Sequence, residues 1–161
     1  MGLASDNEVK TILGALLALI VFTGAAPAAD KPNFSGDWKM NAAKSDFGPA
    51  PPPASIVRKI THAEPSLVIV EDQQSDLGTQ TTTRKYTTDG KETSFESSGT
   101  VVRGSAVWDS NALVVTSTVD ALGLQFTDRM TVSPDGRTLI SAVHIASAQG
   151  ELDITVVFER Q

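Results

Sequence analysis

Leu122-Gly123-Leu124-Gln125-Phe126-Thr127-Asp128-Arg129-Met130-Thr131-Val132 decides the fold. Leu122, Leu124, Phe126, Met130 and Val132 share one parity, and Gly123, Gln125, Thr127, Arg129 and Thr131 take the other. A period of two with one polar face marks a half-buried antiparallel strand. Leu152, Ile154, Val156 and Phe158 repeat the pattern against Asp153, Thr155 and Glu159. No segment after Asp30 holds apolar residues at helical spacing for three turns. Thirteen valines after Asp30 and many threonines agree, because β-branched side chains fit a pleated surface.

Turn chemistry divides these runs. Asp89-Gly90 and Pro134-Asp135-Gly136 suit tight hairpins, and Asp109-Ser110-Asn111 and Ala148-Gln149-Gly150 are further short connections. Strands are predicted at 34–40, 55–62, 66–73, 79–87, 91–98, 100–108, 112–119, 122–132, 138–146 and 151–159. The one long connection runs from Asn41 to Ala54, where Gly48-Pro49-Ala50-Pro51-Pro52-Pro53 forms neither helix nor interior strand. A meander of this kind loses its exposed edges by closing on itself. A sandwich would need more long crossings, and two Asp-Gly turns do not make a propeller array. The expected fold is all-β: a single antiparallel up-and-down β-barrel of about 8–10 strands over residues 30–161.

The first strand, Asn33-Phe34-Ser35-Gly36-Asp37-Trp38-Lys39-Met40, carries Gly-x-Trp at the start of the barrel. Arg160 follows the last strand in phase with Phe158. Together these resemble the lipocalin and wider calycin signature, in which an Arg beyond the last strand packs over the Trp that closes the barrel. With Lys44-Ser45-Asp46-Phe47-Gly48 and the proline loop, the body also looks like small secreted bacterial lipocalin-like proteins. The resemblance implies a structural, barrel-closing role for Gly36, Trp38 and Arg160.

The remaining composition narrows the class. The chain has 161 residues, a net charge of −6, 40% hydrophobic and 20% charged residues, and no cysteine. These values fit one globular domain and exclude a disulfide scaffold, a thiolate metal site and a cysteine nucleophile. The acidic balance opposes nucleic-acid binding. Ile12 to Phe22 form an uninterrupted apolar run, and Ala26 and Ala28 fit an A-x-A cleavage site. Residues 1–28 are therefore expected to be a signal peptide, with an uncleaved membrane anchor as the alternative despite the short span. Both place the body outside the cytoplasm, secreted or periplasmic.

Catalytic chemistry is thin. His62 and His144 lack metal-ligand spacing, and no nucleophile elbow is present. No catalytic residue, metal or cofactor is expected, and the chain is read as a non-enzyme. Glu71, Asp72 and Asp76 read as a solvated loop, whereas Asp128 shares the parity of Leu124, Phe126 and Met130 and points inward. From Thr79 to Thr88 six residues are Thr, and neither parity of 91–98 is clearly apolar. That composition predicts a partly polar cavity or a wet sheet face, with Arg84, Tyr86, Phe95, Trp108 and Asp128 as the side chains to meet a ligand. The expectation is an exported, monomeric carrier or sensor of a small apolar or amphipathic molecule. The alternative is a protein-binding or hydrolase-inhibiting barrel that acts through its loops, above all Gly48 to Pro53.

Overall fold

The computed structural model describes residues 31–161, and the predicted leader lies outside them. Ten strands follow in order: β1 (Gly36–Met40), β2 (Ser55–Ala63), β3 (Ser66–Ser75), β4 (Gly78–Thr87), β5 (Thr93–Ser97), β6 (Thr100–Asp109), β7 (Ala112–Val119), β8 (Leu124–Val132), β9 (Thr138–Ser147) and β10 (Gly150–Arg160). They form one antiparallel sheet ordered β4-β3-β2-β1-β10-β9-β8-β7-β6-β5. The predicted up-and-down barrel is the observed architecture. Its seam lies between β4 and β5, where no backbone ladder forms. Side chains bridge it instead: Thr93 Oγ1 donates to the Lys85 carbonyl at 2.8 Å, and Gln80 Nε2 donates to Ser98 Oγ at 3.0 Å.

All strand boundaries fall within two residues of the expected ones, and three of the shifts have a clear local reason. Residues 120–122 form a short 3-10 turn that ends at Gly123 (φ 61°), so β8 starts after Leu122, which is solvent-exposed. Lys91 is held outside β5 because its N–H and Nζ both engage the Asp89 carboxylate. Phe34 precedes β1 and is fully buried beneath the barrel.

The core fills one half of the barrel. Phe34, Trp38, Leu67, Leu113, Met130, Leu139 and Phe158 are fully buried at the end where β1 begins. Trp38 Nε1 donates to the Phe34 carbonyl at 3.0 Å, and the Arg160 guanidinium lies 4.3 Å above the Trp38 ring. Arg160 also donates to the carbonyls of Ser35 (2.8 Å) and Gly136 (2.6 Å), tying three chain segments together. Gly36 has φ +144°, and a Cβ there would fall 2.3 Å from Arg160 Nη1. The glycine of Gly-x-Trp thus leaves the space through which Arg160 reaches its acceptors.

The opposite end carries the long connection. Asp46 exchanges two backbone hydrogen bonds with Thr155 (2.8 and 2.7 Å), which pins the start of the proline loop to β10. Phe47, Ala50, Pro51 and Pro53 then line the mouth of the barrel.

Candidate functional site

The open half of the barrel holds a cavity of about 600 Å³. Its apolar wall comes from the alternation of β8, β9 and β10: Leu124, Phe126, Val143, Ile145, Leu152, Ile154 and Val156. Its polar wall comes from the threonine-rich region, with Gln80, Thr82 and Arg84 of β4 and Phe95 and Ser97 of β5. The predicted polar middle of the sheet is therefore one side of the cavity. The register explains the facing, since Arg84 pairs with Ile69 and Thr82 with Glu71.

Between core and cavity lies a charged network. Arg58, on β2, is buried (4% exposed). Its Nε and Nη2 meet Glu71 Oε2 at 2.7 and 2.6 Å, and Arg84 Nη2 reaches the same oxygen at 3.0 Å. Arg58 Nη1 approaches Ser141 Oγ at 3.3 Å and Asp128 Oδ2 at 3.5 Å, and Ser141 donates to Asp128 Oδ1 at 2.5 Å. The Arg58 guanidinium also stands 4.6 Å from the Phe158 ring centre. Burial alone would raise the Glu71 pKa; the charges of Arg58 and then Arg84, with their hydrogen bonds, override it and hold the carboxyl at about 2. The Arg58 pKa is raised, with the attraction of Glu71 and Asp128 outweighing burial. Arg58 and Glu71 thus stabilise each other's charged forms.

The structure divides the predicted ligand-facing residues. Arg84, Phe95 and Asp128 line the cavity. Tyr86 is buried deeper, its hydroxyl paired with Ser117 Oγ at 2.8 Å and its ring edge-on to Phe95 at 5.6 Å. Trp108 lies at the closed end, 5.8 Å from both Phe34 and His62, and donates to Glu64 Oε1 at 2.7 Å. Glu71 is corrected from a solvated loop to an inward, paired carboxylate. β3 runs on to Ser75 because it pairs with β4 as far as Gly78, and Glu71 keeps the inward parity of Leu67 and Ile69. Asp72, on the other parity, is exposed and accepts from Thr81 Oγ1 at 2.5 Å. Arg58 went unnoticed in the sequence although it shares parity with Ile56 and Ile60. His62 is buried between Phe34 and Trp108, its Nδ1 accepting the Phe34 N–H at 3.3 Å. His144 is partly exposed beside Asp153 at 2.7 Å, and that hydrogen bond raises its pKa. Among the described residues no cluster of three His, Cys, Asp or Glu could hold a metal ion.

No protein-family model and no curated protein matches the chain. Solved structures do. A secretory abundant heat soluble protein of Ramazzottius varieornatus aligns over 80% of this chain and 95% of its own, with a TM-score of 0.59 and 10% identity. The zebrafish ileal bile acid-binding protein, complexed with cholic acid, aligns over 80% and 98%, with a TM-score of 0.57 and 16% identity. Fatty-acid-binding protein 1 of Echinococcus granulosus aligns over 79% and 96%, with a TM-score of 0.53 and 11% identity. At these identities the likeness concerns the fold alone.

Proposed function

We propose that the protein is an exported carrier or sensor that holds a small apolar or amphipathic molecule in the open half of its barrel. The observation that carries this reading is the cavity itself. Its volume lies within the ordinary range of ligand pockets, roughly 300–1,000 Å³, and an apolar wall faces a few convergent polar groups. Several structural neighbours bear names of bile-acid and fatty-acid binders, which agrees with a binding role and names no ligand here. The proline loop supplies the rim of the mouth in this reading.

Filling the cavity tests it. Val143 is half-buried and faces the empty space. Val143→Trp is expected to weaken uptake of the neutral dye Nile red by about 10-fold or more with unchanged far-UV circular dichroism, since the indole takes the ligand's volume. Equal uptake by the folded variant would place the dye elsewhere and reject the cavity as the site.

Export rests on the apolar run Ile12 to Phe22 and the small residues Ala26 and Ala28. The mature chain recovered from a cell envelope is expected to begin at Ala29, as read by intact mass. A full-length mass in the soluble envelope fraction would contradict it.

A further inference from the structure

The polar end of the cavity is electrically self-contained. Arg58 and Arg84 face Glu71 and Asp128, so the formal charges of the cluster cancel. Arg58 has little to offer a ligand. All three of its nitrogens are engaged, and one side of the guanidinium covers Phe158.

Arg84 differs. Its Nη2 binds Glu71, but its Nε is buried without a hydrogen-bond partner, the one such side-chain atom among the described residues. A buried donor without an acceptor is destabilising, and native proteins rarely leave one. The wall around it consists of the neutral side chains Gln80, Thr82, Phe95 and Ser97, with Glu71 beside it.

The missing partner is an acceptor, and the surroundings select its charge. A carboxylate would satisfy Nε, but it would add a net negative charge to a balanced, poorly solvated cluster. It would also compete with Glu71 for one guanidinium, and two carboxylates sharing a site disfavour each other's ionised forms. An uncharged oxygen satisfies the same donor without that opposition.

We propose, building on the carrier reading, that the ligand's buried polar end is an uncharged hydrogen-bond acceptor — a hydroxyl, carbonyl or ester oxygen on an apolar body — seated on Arg84 Nε. The site selects against ligands that present a carboxylate there.

Nile red displacement by a ten-carbon series, 1-decanol, 2-decanone and decanoate, at about pH 8 where the acid is ionised, tests the head group. The alcohol and ketone are expected to displace the dye at concentrations about 10-fold lower than decanoate does. Glu71→Gln leaves the cluster with a positive charge and is expected to shift the ranking about 10-fold toward decanoate. Should that variant fail to fold by circular dichroism, Arg84→Gln, on a partly exposed side chain, gives the second arm: with the donor gone and the cluster left net negative, the alcohol and ketone displace the dye only at about 10-fold higher concentrations, and the ranking does not move toward decanoate. Decanoate competing as well as the alcohol in the native protein overturns the inference. So does dye that binds but yields to none of the three, and the carrier reading then still stands. Failure to bind Nile red at all removes both.

Discussion

Arg58→Ala is expected to destabilise the barrel by about 3–5 kcal/mol, because it strands Glu71 and Asp128 as inward carboxylates without their shared cation. The residue itself is 4% exposed, and water cannot replace what it supplies without opening the barrel. The pH dependence follows from the direction of the Glu71 shift. Its pKa is depressed to about 2 in the fold from an ordinary 4.5, so the native state gives up this proton more readily than the unfolded chain. That contribution is fully present above about pH 4.5 and is lost as the pH falls through about 2. In the variant, burial is opposed by Arg84 alone, Glu71 protonates at higher pH, and acid unfolding begins earlier. Urea midpoints at neutral pH and an acid titration followed by near-UV circular dichroism measure both effects. A loss below about 1 kcal/mol with an unmoved acid midpoint would show that the network contributes little. The quadruple variant Arg58→Met, Glu71→Gln, Arg84→Gln, Asp128→Asn should recover much of the loss, since neutral groups need no counter-charge.

Trp38→Ala is expected to cost about 3–5 kcal/mol by leaving a void beneath the barrel. The ring is fully buried in the same apolar cluster as Phe34, Leu139 and Phe158. Arg160→Ala should cost less, about 0.5–2 kcal/mol for the cation–π contact together with two exposed hydrogen bonds. A double-mutant cycle on thermal or urea unfolding separates the terms. Positive coupling is expected, because part of the Arg160 effect disappears once the ring is gone. A Trp38→Ala loss under about 1.5 kcal/mol would mean that the closed end collapses around the gap.

The strands with one apolar parity were legible in the sequence, and so was the meander they build. Asp128 could be placed inward because Phe126 and Met130 flank it. Arg58 and Glu71 were legible in principle, by the same rule applied to Ile56, Ile60, Leu67 and Ile69, but charged side chains are ordinarily found in solvent. A charged pair can face inward when each member arrives opposite the other, and only the β2–β3 register that sets Arg58 against Glu71 reveals this. Arg84 and Thr82 posed a different difficulty. Neither parity of β4 is apolar enough to choose a face, so the choice comes from its neighbour, β3. Trp108 looked like a cavity residue because its strand runs beside the polar region. Strand membership does not say which end of the barrel a residue reaches, and the short turn after Asp109 puts it at the closed one.

The order of strands in the sheet has a consequence for how the chain finds its fold. Every hydrogen-bonded neighbour but one is also the next strand in sequence. The exception is β1 with β10, joined through Trp38↔Arg160, Lys39↔Glu159 and Met40↔Phe158. The protein is thus two local meanders, β1–β4 and β5–β10, zipped along three residue pairs at opposite ends of the domain. Each meander can assemble from short-range pairing. The entropy of bringing distant chain segments together is concentrated in that single meeting. Trp38 and Arg160 meet in it, so the residues that cover the closed end also join the two meanders.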